Sequence, residues 1–143
     1  MTTAIPTHGA TCKTTVASLI PALEELERAL RFADTLIEEA NDRMGLVPTV
    51  DTKRVVPMIQ TKGKRTRCLA WFHPEHWSTQ GGEMCQEINF CAEHLDRDPV
   101  DIVATVIHEK VHKWCHSLGI KDCAESGRHN KAFKSYAEYL GLE

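Results

Sequence analysis

Residues 98–119, DPVDIVATVIHEKVHKWCHSLG, decide the fold because they carry the signals of one complete amphipathic helix. Asp98 is a preferred N-cap residue, and Pro99 suits the first helical position, where its missing N–H costs nothing. Gly119 is the residue type expected just after a helix ends. At about 100° per residue, one side of this helix is a continuous apolar arc. The arc consists of Val100, Val103, Ile107, Val111, Trp114 and Leu118, and the far side carries Lys110, Lys113 and Ser117.

The same helix contains the HExxH pattern, with His108 and His112 four residues apart. Positions i and i+4 lie on one face of a helix, one turn apart, so both imidazoles can bind one zinc ion. Glu109 lies beside the apolar arc, where its carboxylate can serve as the general base of hydrolysis. The pattern predicts the zinc-binding helix of a metallopeptidase. The alternative is an amphipathic helix with surface histidines.

A third zinc ligand is expected, because catalytic zinc ions usually have three protein ligands. His129 is the first candidate, since the preceding loop is long enough to turn the chain back across the metal. We predict that His129 opens the last helix, where the helix dipole favours the neutral imidazole. Glu125 and Glu138 are alternatives. His116 lies about 12 Å from His108 along the helix axis, which is too far for both to bind one ion.

Composition and charge limit the class of protein. The 143 residues, 42% hydrophobic and 26% charged, are enough for one domain with a core. A net charge of −3 gives no reason to expect general affinity for nucleic acids. Without a membrane-spanning apolar run or a signal peptide, we expect a soluble cytoplasmic protein with no membrane partner. The six cysteines include no CxxC pair, so we expect reduced, mostly buried thiols rather than a zinc ribbon.

The remaining sequence predicts an α+β fold. Residues 1–16 show no periodicity and are interpreted as a flexible arm before a single domain over residues 17–143. An apolar stripe with alternating spacings of three and four residues predicts a long helix from Ser18 to near Gly45. We expect this helix to pack on the domain's own sheet rather than to form a coiled coil with a partner.

Three strands are predicted after this helix, at residues 55–60, 66–72 and 86–91. Pro57 places the first at a sheet edge or a bulge, and a turn at residues 61–64 joins the first two into a hairpin. Ile88 and Phe90 are expected to point inward from the third strand. The last helix is expected to bury one apolar face, formed by Phe133, Tyr136, Ala137 and Leu140.

A basic cluster lies at the predicted hairpin tip and contains Lys62, Lys64, Arg65 and Arg67. Together with Trp71 and Trp77, these residues are candidates for contacts with phosphates and stacked bases of single-stranded DNA. The alternative interpretation is a solvated turn beside two core tryptophans.

Five segments resemble the SprT-like zinc metallopeptidases, a family that includes bacterial SprT and the eukaryotic protease Spartan. They are LAWF at residues 69–72 with Trp77, EINF at 87–90, DPVDIVATVIHEKVH at 98–112, GIKDC at 119–123 and GRHNKAF at 127–133. The last is similar to the family's third-ligand segment, a His followed four residues later by Phe. It maps to His129 and Phe133. The chain looks most like the short phage and bacterial members.

The resemblance implies a small zincin-like fold, one catalytic Zn²⁺ ion and hydrolysis of peptide bonds. The ligands would be His108, His112 and His129, with Glu109 as general base. For Spartan the resemblance also implies cleavage of proteins crosslinked to DNA, and for this chain it implies a bacterial or phage-infected cell. Many relatives carry a C-terminal zinc ribbon or other DNA-binding module, and this sequence shows neither.

Several assignments stay open at the level of sequence. Asp101, Asp122 and Glu125 are equal candidates for orienting a zinc-binding imidazole. Arg128 is interpreted as a surface charge, with transition-state stabilisation as the alternative. A non-catalytic zinc-containing adaptor for DNA or protein would need a fourth ligand, for which Cys115, His116 and Cys123 are the nearest candidates. A metal-free scaffold built on the long helix would contain no zinc.

Overall fold

The computed structural model describes residues 16–46, 55–63 and 67–143. Within these residues the chain forms three α-helices, three β-strands and a 3-10 turn at Ala92–His94. The helices are α1 (Val16–Met44), α2 (Pro99–Ser117) and α3 (Lys131–Tyr139), and the strands are β1 (Val55–Gln60), β2 (Ala70–Ser78) and β3 (Met84–Cys91). The predicted α+β class is confirmed. The predicted arm at residues 1–16 lies outside the described residues, except for Val16, which already belongs to α1.

The central strand of the sheet is β3, and the strand order is β1-β3-β2. It pairs in parallel with β1 and antiparallel with β2. The predicted hairpin between the first two strands is therefore wrong. The physical reason is burial. Ile88 and Phe90 of β3 are 0% and 1% exposed, and a strand that buries its side chains so fully is favoured at the centre of a sheet, with a neighbouring strand on each side. Pro57, which lacks an N–H, lies on the edge strand β1, as predicted.

The second strand also differs from the prediction in its limits. It begins at Ala70 rather than Thr66 and runs on to Ser78, past the predicted end at Phe72. Pairing with β3 sustains it, since His73 lies opposite Glu87 and Trp77 lies opposite Cys85, with an irregularity between the two pairs. A bulge of this kind lets a strand continue through residues that break its regular alternation.

Helix α2 begins and ends as the sequence predicts. The Asp98 side chain accepts a hydrogen bond of 2.9 Å from the Val100 N–H, and Pro99 is the first helical residue. Gly119 has φ of 67°, a left-handed conformation that costs glycine little. The apolar arc is buried at Val111 and Trp114, but Val100 is 74% exposed, so its place in the arc is wrong. The first turn of α2 extends beyond the core.

The far side of α2 does not face solvent, because α1 packs against it. Helix α1 packs more extensively against α2 than against β1. Lys110 is 1% exposed, and its ammonium group pairs with the Asp34 carboxylate of α1. Lys113 is also buried. The stripe of α1 thus packs within the domain, although chiefly on a helix rather than on the sheet. No helix in the described part of the chain has the length and apolarity needed to cross a membrane.

The Lys110–Asp34 ion pair should contribute to stability in an asymmetric way. We expect Asp34→Ala to lower the free energy of unfolding by about 1–3 kcal/mol, because it removes the carboxylate that faces a buried ammonium group. Lys110→Met should cost less, since it removes the buried charge itself. Urea denaturation measures both. The matched control is Asp42→Ala, on the exposed side of the same helix, expected within about 0.5 kcal/mol of wild type. Equal losses for Asp34→Ala and Asp42→Ala would contradict this account.

The last helix starts two residues later than predicted. Asn130 is its N-cap, and its side-chain oxygen accepts hydrogen bonds from the backbone N–H groups of Ala132 and Phe133. His129 therefore lies just before the helix, in an isolated antiparallel bridge with Cys123. Asn130 is the stronger cap because its side chain is an acceptor of the required length. The predicted apolar face is buried at Phe133, Ala137 and Leu140 and partly buried at Tyr136.

Candidate metal centre

Three imidazoles lie close together beside α2, those of His108, His112 and His129, which the sequence predicted as the zinc ligands. One ligand nitrogen from each of His108, His112 and His129 lies within 4.8 Å of the other two. Nε2 of His129 is 3.2 Å from Nε2 of His112. Helix α2 supplies the first two rings one turn apart, and the Cys123–His129 bridge folds the following loop back towards them. The alternatives Glu125, Glu138 and His116 are not in this group, within the part of the chain that the structure describes.

Phe133 supports all three imidazoles with a single aromatic ring. Its centroid lies 3.9 Å from that of His129, with only 12° between the ring planes. The centroids of His108 and His112 are 4.8 and 4.6 Å away. Phe133 is 5% exposed and is held by the first turn of α3. The ring thus forms an apolar floor that restricts how far each imidazole can rotate.

Asp122 orients the His112 ring from the side opposite to the cluster. Its Oδ2 lies 2.5 Å from Nδ1 of His112. An N–H at Nδ1 that donates to this carboxylate leaves the lone pair of Nε2 free to bind a metal. Asp101 and Glu125 make no such contact with an imidazole among the described hydrogen bonds. The spacing along the sequence gave no means of ranking these acidic residues, because Asp122 reaches His112 through the conformation of a loop.

The Asp122 contact should be measurable in zinc affinity. We expect Asp122→Ala to weaken zinc binding by about 10- to 100-fold, because His112 loses the acceptor that fixes its tautomer and orientation. Competition with a chromogenic chelator measures the affinity. Asp101→Ala is the control, because Asp101 is exposed in the first turn of α2 and should leave the affinity unchanged. If both variants bind zinc like wild type, Asp122 has no orienting role.

Glu109 lies against strand β2 and is 5% exposed. Its carboxylate accepts a hydrogen bond from the backbone N–H of Phe72. Burial and the nearby negative charge of Asp122 raise the pKa of Glu109 to about 7, against the effect of this hydrogen bond. A carboxyl group with a pKa near neutrality can both accept and donate a proton there.

The surroundings of His108 and His129 favour the neutral form of these rings, which is the form that binds metals. Burial, together with the neighbouring His112 and His129, lowers the pKa of His108 to about 4. Burial, followed by the proximity of His112, also lowers the pKa of His129. Neutral rings with exposed lone pairs are therefore favoured, as zinc binding requires.

The cluster opens onto a cleft with a volume of about 550 Å³. Strand β2, helix α2 and the loop after it form its walls. The lining residues are Ala70, Trp71, Phe72, Pro74, His108, Glu109, His112, His116, Ile120, Asp122, Cys123 and His129. Three imidazole nitrogen donors at mutual distances suited to one ion, at a site that is open on one side, match the ligand set of a catalytic zinc site. The residues present therefore fit a zinc ion.

The predicted basic hairpin tip is only partly described. Lys64 and Arg65 lie outside the described residues. Lys62 is in a connection that runs from one edge of the sheet to the other, and its Nζ lies 3.9 Å from the centre of the Trp71 ring. Trp77 is 49% exposed, and its ring N–H donates to Glu87. Trp71 thus already has a cation on one face, while Trp77 keeps an exposed aromatic surface.

Arg128 is exposed and lies next to His129 in the chain, which agrees with the interpretation as a surface charge.

The described cysteines are free thiols, buried at Cys85, Cys91 and Cys115 and partly buried at Cys68 and Cys123, as expected for a reduced protein. Burial raises the pKa of Cys123, and the adjacent Asp122 carboxylate adds to this effect.

No protein family, curated protein or solved structure matches this chain. Membership of the SprT-like family therefore stays a prediction from the quoted segments, and the function is inferred from the site itself.

Proposed function

We propose that this protein is a zinc-dependent metallopeptidase with a zincin-like, SprT-like fold. The observation that supports this most strongly is the convergence of His108, His112 and His129 beside Glu109 at an open cleft. Two of these histidines and the glutamate come from one helical turn, and the third comes from a separate loop. An amphipathic helix with two surface histidines does not by itself explain why a third imidazole and a buried carboxylate lie beside them.

The chain's own residues divide the work of hydrolysis. His108, His112 and His129 would hold the zinc ion, and Asp122 keeps the His112 ring in its binding orientation. When bound, zinc supplies a Lewis acid that activates water and polarises a carbonyl group. Glu109 accepts a proton from the attacking water and later passes it to the leaving amine. The Phe72 N–H holds the Glu109 carboxylate at the cleft for both transfers.

Strand β2 offers a place for an extended peptide. Among the described strands it lies at an edge of the sheet, next to β3, and its residues Ala70, Phe72 and Pro74 line the cleft. A peptide could add to this edge through main-chain hydrogen bonds, which recognise an extended backbone whatever its sequence. This placement would bring a peptide bond next to Glu109. We therefore infer protein or peptide substrates.

The test is cleavage of casein by protein whose zinc content is measured in the same preparation. We expect one zinc ion per chain, hydrolysis in its presence, loss of hydrolysis with a chelator and recovery on addition of zinc. Protein that contains zinc but cleaves neither casein nor DNA-bound histone would favour the non-catalytic adaptor. Protein without zinc would favour the metal-free scaffold.

The structure gives one observation against the adaptor, which needs a fourth protein ligand to close the metal site. Cys115 is 0% exposed, and neither it nor His116 belongs to the described cluster of three histidines. Cys123 groups with His112 and Asp122 instead. Among the described residues, no fourth side chain joins the three histidines, so the arrangement favours the enzyme.

Action on DNA-associated proteins is a narrower part of the proposal, supported by the exposed Trp77 and by Lys62 and Arg67 on the surface. We expect weak, salt-dependent binding of single-stranded DNA, because phosphate contacts release counterions and exposed aromatic rings stack on bases. Fluorescence anisotropy at several salt concentrations measures it. Lys62→Glu with Arg67→Glu should abolish binding, and Lys131→Glu with Lys134→Glu on α3 is the charge-matched control. Absence of binding at low salt would remove DNA from the proposal.

A further inference from the structure

A second group of metal-binding side chains lies on the other side of the His112 ring. Ligand atoms of His112, Asp122 and Cys123 lie within 4.8 Å of one another. Oδ2 of Asp122 is 2.5 Å from Nδ1 of His112, whereas Nε2 of this ring faces His129 at 3.2 Å. One imidazole therefore belongs to two groups, through its two ring nitrogens.

We propose that His112, Asp122 and Cys123 form a second, inhibitory metal site for a soft divalent cation, either Cd²⁺ or Zn²⁺ in excess. Nitrogen, carboxylate oxygen and thiolate sulfur together are a donor set that such ions prefer. Asp122 and Cys123 both line the cleft, so an ion can reach them from solvent. On binding, the Cys123 thiol and the Nδ1–H of His112 each release one proton to water. His112 then bridges the two metal sites as an imidazolate, and the second divalent cation offsets most of the negative charge of this ring, the carboxylate and the thiolate.

Inhibition follows from what the second ion removes, and this step rests on the proposed peptidase function. An ion held by Nδ1 of His112, Asp122 and Cys123 takes the place of the Nδ1 proton, so the hydrogen bond between His112 and the Asp122 carboxylate is lost. His112 then loses the partner that orients it towards the catalytic zinc, a loss that typically reduces metal affinity or activity about 10- to 100-fold. The binding step itself does not depend on any catalytic activity.

The experiment is a titration of the protein carrying one equivalent of zinc with cadmium chloride. The ultraviolet charge-transfer band of a cadmium–thiolate bond reports binding at Cys123, and equilibrium dialysis with metal analysis gives the stoichiometry. Cadmium that merely replaces zinc at the three histidines produces no such band. Wild type should show the band and bind two ions in total, and casein cleavage should fall as the band grows.

The variants separate this site from other thiols. Cys123→Ser should lose the band, the second ion and the inhibition, and Cys123→Ala provides the same test if the serine variant folds poorly. Cys68→Ser is the matched control, because Cys68 does not line the cleft, and it should behave like wild type. A band that persists in both Cys123 variants, or that disappears in Cys68→Ser, overturns the proposal.

Failure of this site and failure of the proposed function give different results. Glu109→Gln should retain the band and the second ion although it is expected to be inactive. If wild type hydrolyses casein but shows no cadmium–thiolate band, the second site is wrong and the peptidase proposal stands. If the band appears at Cys123 but no preparation cleaves protein, the metal site stands and the peptidase proposal fails.

Discussion

The Glu109→Gln variant should bind zinc like wild type and cleave casein about 100- to 10,000-fold more slowly, the usual contribution of a general base. Glu109 is not one of the three clustered metal ligands, so zinc stoichiometry should not change. The glutamine oxygen can still accept the Phe72 N–H, so the side chain should keep its place. Its amide cannot take a proton from water near neutral pH. Initial rates of casein cleavage, with zinc content measured in parallel, check both expectations.

The control for Glu109→Gln is Glu125→Gln, which makes the same chemical change at an exposed position in the loop that follows Cys123. This variant should cleave casein at the wild-type rate. Thermal unfolding should show that Glu109→Gln is folded, since an uncharged side chain at a position that is 5% exposed relieves a desolvation cost. Wild-type activity in folded, zinc-loaded Glu109→Gln would refute the role of Glu109.

The His129→Ala variant should lose stoichiometric zinc and, with it, all casein cleavage. Removing a direct ligand should weaken binding by more than the roughly 10- to 100-fold typical of an orienting partner such as Asp122. Zinc that binds only the folded state stabilises wild type by about 2.7 kcal/mol at a free concentration of 100 times Kd. His129→Ala should show little of this stabilisation. Thermal unfolding with and without zinc measures the difference, and His129 is exposed enough for the variant to fold.

His116→Ala is the matched control, because His116 lines the same cleft but lies outside the cluster of three histidines. It should retain zinc at one equivalent and the zinc-dependent rise in unfolding temperature. A reversed pattern, with zinc kept in His129→Ala and lost in His116→Ala, would show that the assigned ligand set is wrong.

The helices were more predictable than the sheet, for a physical reason. Asp98, Pro99 and Gly119 act on backbone groups within a few residues of themselves, so the limits of α2 follow from local chemistry. Strand pairing is a choice between segments distant in sequence. The turn-like segment after β1 suggested a hairpin, but insertion of β3 between β1 and β2 buries Ile88 and Phe90 on both sides. The residues of a turn carry no information about the apolar area that is buried when a distant strand inserts between two others.

Part of the site could be predicted in the same way. The helical period places His108 and His112 on one face, and this requires no knowledge of the rest of the fold. The burial of Lys110 could not be derived from the helical periodicity of α2. The periodicity shows which side of the helix lies opposite the apolar arc, but it does not show that α1 covers this side. Asp122 could not be ranked above Asp101, since its contact with His112 depends on the loop conformation.

By itself, the sequence determined the α+β class, the extent of α2 and the placement of two histidines with Glu109, because each of these follows from residue patterns within a single helix or strand. Only the tertiary structure decided the strand order, the approach of His129 to His108 and His112, and the contact of Asp122 with His112. These features join groups that are brought together by loop closure and packing. Such contacts depend on the free energy of the whole fold, which no short stretch of residues contains.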